Sequence, residues 1–80
     1  MARTNWTRQT SVFWELFTEF FDVGCVISLD EIYTVLSPAF ASKYPNNKNI
    51  DAKIRQQLQV LRDVGYLTFL NNNGKYQRIE

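Results

Sequence analysis

The 80-residue chain contains no histidine and a single cysteine, Cys25. With no second cysteine an internal disulfide cannot form, and with no histidine the Cys/His sets that hold structural zinc cannot be assembled. The lack of histidine also removes the commonest general acid–base, and the carboxylates are scattered along the chain. No metal, cofactor or catalytic residue is therefore expected. Long apolar runs are missing as well: the most hydrophobic stretch is broken by Glu15, Glu19 and Asp22, which argues against a membrane span. The opening MARTNWTRQT is polar and basic and lacks the apolar segment of a signal peptide, so a soluble, cytoplasmic protein is expected. Three glycines and two prolines leave no low-complexity linker, and the length accommodates one compact domain.

What the chain has in quantity is aromatic residues: six Phe, four Tyr and two Trp. A domain of this size buries only roughly 60 to 65% of its unfolded surface. Without a disulfide or a metal, its stability must come from packing large side chains, and each ring removes about 150 to 250 Å² from water. Cys25 reads as a small buried hydrophobe beside Val26 and Ile27. The net charge of +1 is uninformative, but its distribution is uneven. Residues 1 to 40 carry two basic side chains against five acidic ones, and residues 41 to 80 carry seven against three. That asymmetry fits a one-faced binder of a polyanion, and it fits an ordinary solvated surface equally well.

Along the chain, residues 1 to 10 read as a loose arm and residues 11 to 80 as the domain. Phe13, Leu16, Phe17 and Phe20 recur at helical spacing between Ser11 and Phe21, with Gly24 closing the helix. Ser28-Leu-Asp-Glu31 is a capping box that starts a second helix at Leu29, and Pro38 predicts its end near Ser37. The segment from Ser37 to Lys48 reads as a connection. A third helix is predicted from an Asn49 cap to Gly65, with Ile50, Ile54, Leu58 and Leu61 on one narrow stripe. Tyr66 to Leu70 and Lys75 to Ile79 are extended runs joined by Asn71-Asn-Asn-Gly74, a hairpin signal.

Helix, short strand near residues 25–27, helix, helix and C-terminal hairpin is the order of a winged helix-turn-helix, an α+β fold. In that architecture the third helix enters a major groove of DNA and the hairpin lies along phosphates. The face of the third helix opposite its apolar stripe carries Ala52, Arg55, Gln56 and Gln59. Arginine pairs two-pronged with guanine and glutamine with adenine, so these four are the candidate base contacts. Lys48, Asn49, Lys53, Lys75 and Arg78 are the candidate phosphate contacts.

PNNKNIDAKIRQQLQVLRDVGYLTFL, followed by GKYQR, resembles the C-terminal winged-helix domain of the DpnI and Dam-replacing group of restriction endonucleases. KIRQQLQVLRDVG, Lys53 to Gly65, is the most specific run, and ISLDEIY, Ile27 to Tyr33, resembles the start of that family's second helix. The resemblance implies binding of double-stranded DNA at GATC containing 6-methyladenine, within restriction-modification, by a domain that sits beside a separate metal-dependent nuclease domain. It therefore implies association with the nucleoid when bound. No such nuclease sequence is present, because Asp51-Ala-Lys53 lies in the third helix without a partner strand. The hairpin tip also has fewer arginines than the family pattern. A paired 6-methyladenine places its methyl in the major groove and spoils the usual glutamine contact, so a reader must offer apolar surface. Ala52, Trp6, Phe40 and Tyr44 are the candidates. The competing expectation is a winged helix that docks a protein partner through its aromatic first helix.

Overall fold

A computed structural model describes residues 6–70 and 74–80. Three helices and three short strands follow one another as α1 (Arg8–Phe20), β1 (Val26–Ser28), α2 (Leu29–Lys43), α3 (Ile50–Asp63), β2 (Leu67–Phe69) and β3 (Lys75–Arg78). The strands form one antiparallel sheet in the order β1-β3-β2. This is the α+β winged helix-turn-helix order expected from the sequence, with the short strand one residue later than expected.

Helix α1 begins at Arg8, inside the stretch expected to be a loose arm. Thr7 and Thr10 form a reciprocal capping box there, and the indole Nε1 of Trp6 donates to Ser11 Oγ at 2.7 Å. That contact joins the residue before the cap to the fourth helical position, the pair usually linked by an apolar staple. The helix ends at Phe20, earlier than Gly24. Phe20 is exposed, contrary to its place in the expected stripe, whereas Phe21 turns into extended backbone and seats its ring 5.0 Å from that of Phe17.

Helix α2 starts at the predicted Ser28 cap, where Glu31 N–H donates to Ser28 Oγ at 3.1 Å. It does not stop at Ser37. Pro38 lies inside a helix that runs to Lys43, so the connection to α3 is shorter than predicted. A proline in a helix interior removes one backbone bond and costs about 3 kcal/mol. Continuing the helix buries Phe40 completely and sets its ring 5.4 Å from Phe13 and 5.2 Å from Tyr44. Burying a phenylalanine contributes about 1.5 to 3 kcal/mol and each ring pair about 0.5 to 1.5 more, which offsets the proline.

Helix α3 ends as predicted at Gly65, whose φ of +89° only glycine adopts without strain. Gly65 N–H donates to Arg62 O and Tyr66 N–H to Leu61 O, the two bonds of a Schellman motif. At the other end Asn49 holds the cap position, but its side chain makes no cap bond. Its backbone N–H instead donates to Asn47 Oδ1 at 2.9 Å. The core lies between the three helices and one face of the sheet, with Phe13, Phe17, Ile32, Leu36, Ile54, Leu58 and Leu61 from the helices and Ile27 and Leu67 from the strands.

Candidate nucleic-acid interface

Helix α3 separates its side chains sharply. Ile54, Leu58 and Leu61 are fully buried, and Ile50 is half-buried against them. Ala52, Arg55, Gln56 and Gln59 are all exposed along the opposite side. The core fixes how the helix is rotated, and the rotation points these four side chains outward together as a polar ridge.

The cations predicted for phosphate divide into two groups. Lys48 is exposed in the loop before α3, Lys53 is half-buried on the side of α3 facing α1, and Lys75 is exposed at the start of β3. Asn49 is exposed, and its side chain is free of any capping duty. Arg78 departs from the expectation. It lies at the far end of β3, about 10 Å along the strand from Lys75. Its Nη1 donates to Phe21 O at 2.6 Å, its Nη2 donates to Glu80 O at 3.4 Å, and its guanidinium lies 5.2 Å above the Trp14 ring. Its Nε is buried with no partner among the described residues. This guanidinium joins the sheet to the end of α1. The Asn71-Asn-Asn segment of the predicted tip lies outside the described residues.

Of the aromatics considered for a methyl contact, Phe40 has no exposed surface and is a core side chain. Tyr44 is half-buried, packed on Phe40 at the end of α2. Trp6 is half-buried with its ring edge-on to Tyr66, 5.3 Å away. Only Ala52 of that set stands on the ridge.

Three features of the site were missed. Tyr33 of α2, not among the expected site residues, is half-buried near the ridge. Burial raises its phenol above the ordinary 10.0, the Arg55 charge opposes that shift, and Asp51, Tyr76 and Asp30 reinforce it. Asp51 is held at the start of α3 by a 2.9 Å bond from Ser37 Oγ. Gln57, beside the apolar stripe, is almost wholly buried and accepts from Thr10 Oγ1. Ser37 and Asp51 are 14 positions apart and Thr10 and Gln57 are 47 apart, so no local pattern announces either pair.

An exposed polar ridge on the second helix of a helix-turn-helix, flanked by a three-stranded sheet with a lysine at the turn end of its hairpin, defines a winged helix-turn-helix domain of the DNA-binding class. The chain belongs to the Dam-replacing HTH domain family, whose pattern it matches over residues 24–78. No curated protein and no solved structure matches it. Among the described residues, no helix is long and apolar enough to cross a membrane.

Proposed function

We propose that this domain reads a short double-stranded DNA site, GATC containing 6-methyladenine, through the ridge of α3, and that it does so without catalysing a reaction. The observation that carries this reading is the simultaneous exposure of Ala52, Arg55, Gln56 and Gln59 on a helix whose other side is locked in the core. A helix so held presents its donors to a groove without rearrangement. Arg55 is suited to guanine and Gln56 and Gln59 to adenine, while Ala52 offers the methyl a small apolar surface with Tyr33 nearby. Lys48, Lys53, Lys75 and the Asn49 side chain supply phosphate contacts that fix register.

Burying one methyl is worth only about 0.8 kcal/mol, so strong dependence on methylation requires a penalty in the unmethylated complex as well. The test is a titration of the wild type, Arg55→Ala and Lys75→Ala against methylated, unmethylated and scrambled duplexes. Arg55→Ala should lose about 1 to 3 kcal/mol on the preferred site and much less on scrambled DNA. Lys75→Ala should weaken all three alike. Equal losses on every duplex for both variants would sink the assignment of α3 as the reading helix.

A further inference from the structure

The ridge has two flanks. At about 100° per residue, Arg55 falls on the flank turned toward Tyr33 and the sheet, whereas Lys53, Gln57 and Val60 fall on the flank turned toward α1. Between that second flank and the first turn of α1 runs a cleft of about 480 Å³. Thr7 and Gln9 wall it from α1, and Lys53, Gln56 and Gln59 wall it from α3. Gln57, only 3% exposed, also borders it.

The hydrogen bonds beneath this cleft have a direction. Thr7 N–H donates to Thr10 Oγ1 at 3.2 Å, and the Thr10 hydroxyl donates to Gln57 Oε1. Gln57 Nε2 then donates to Gln9 Oε1 at 3.3 Å. Each carboxamide oxygen thereby accepts one bond from within the fold, and the series runs outward to the carboxamide of Gln9. A carboxamide held in this way beside a half-buried lysine is chemically complementary to an anionic acceptor. Asp63 borders the cleft about 15 Å along α3 from Lys53, so an anion is favoured at the Lys53 end and repelled from the other.

We propose that this cleft seats one backbone phosphate of DNA, on the side of the groove away from the wing, held by the Gln9 carboxamide and the Lys53 ammonium. Gln57 is the positioning residue that turns Gln9 so that its donors face outward. The proposal rests on α3 entering the groove. With Lys75 on the opposite flank, it makes α3 the centre of a two-sided phosphate clamp, and α1 becomes part of the DNA interface.

The experiment walks a single uncharged methylphosphonate along each strand of a duplex that the wild type binds. At one flanking position the substitution should weaken the wild type about tenfold, the size expected when a hydrogen bond to a charged group is lost. Gln9→Ala should bind every unmodified duplex about tenfold more weakly at a temperature where it is fully folded, and should lose sensitivity at that one position. Gln9→Glu should bind more weakly still, because a carboxylate then faces the phosphate. Gln57→Met should lose the same positional sensitivity, a result that a merely structural role would not produce. If Gln9→Ala does not fold, Lys53→Met tests the site from the opposite wall by the same walk. Full affinity and full sensitivity at every position in Gln9→Ala, or in Lys53→Met if that variant is the one tested, would overturn the proposal. A wild type that binds no duplex would instead overturn the DNA-binding reading on which it stands.

Discussion

Arg78 and Tyr33 carry opposite lessons about single side chains. Arg78 has the charge of a phosphate ligand, but its guanidinium already holds a backbone carbonyl and covers the face of Trp14. A hydrogen bond from a charged donor contributes about 1.5 to 3 kcal/mol and a partly desolvated cation–π contact about 0.5 to 2. Arg78→Ala is therefore expected to destabilise the fold by about 2 kcal/mol or more, measured by denaturant unfolding. The salt dependence of DNA binding by the folded variant should stay as in the wild type. A smaller salt slope at unchanged stability would return Arg78 to the phosphate contacts. Tyr33 has no charge at neutral pH, yet its phenol responds to Arg55. Its ionisation is raised above 10.0, chiefly by burial, so folding favours the neutral phenol. That contribution is fully present below 10.0 and is lost as the pH climbs through the folded value. The difference between the ultraviolet titrations of wild type and Tyr33→Phe should display a phenol ionising above 10.0. Arg55→Ala should raise it further, because the positive charge that favours the phenolate is then gone.

Among the elements, α2 is the one whose local sequence and tertiary surroundings disagree most. Its start follows from four consecutive residues, since Ser28 and Glu31 satisfy each other's backbone within one turn. Its end is set by Phe40, which reaches the core only if the helix passes through Pro38. Pro38 is itself exposed, so replacing it removes no packing. Pro38→Ala should restore the missing backbone bond and relieve the ring's clash with the preceding turn. It should also release some conformational freedom in the unfolded chain. The net expectation is a gain of about 1 to 2 kcal/mol, visible as a melting temperature higher by roughly 4 to 15 °C. Unchanged or reduced stability would mean that the bend at Pro38 is needed to seat Phe40. Helix α3 has no such conflict: its apolar stripe, its Schellman ending and its polar ridge all require the same span and the same rotation.

For the whole molecule, the proposed phosphate contacts fix how binding should respond to salt. Of the four cations expected to meet phosphate, Lys48, Lys53 and Lys75 remain in the proposed interface, since Arg78 is engaged within the fold. About three neutralised phosphates give a slope of log K against log salt near −3, whereas including Arg78 would bring it near −4. A titration from low to moderate salt distinguishes the two, and a flat response would remove DNA as the partner. The aromatic excess of α1 is largely accounted for by the same assembly. Phe13 and Phe17 fill the core, and Trp14 stacks on Phe17 and carries Arg78.

The sequence by itself determined the features whose causes lie within a turn or two of chain. These are the Ser28 box, the Gly65 ending, the hairpin strands and the ridge of α3, which is exposed because its opposite face is apolar. It also carried the family, through the run from Lys53 to Gly65. Only the tertiary structure decided whether α2 would pass through Pro38, whether Arg78 would face a ligand or Trp14, and which polar side chain of α3 would be buried. Those outcomes depend on partners far away in the chain: Phe13 for Phe40, Phe21 for Arg78, Thr10 for Gln57. A local pattern states what a residue prefers in isolation. The burial of a ring or the pairing of a buried polar group is worth as much as that preference, and it exists only once the distant segment has arrived.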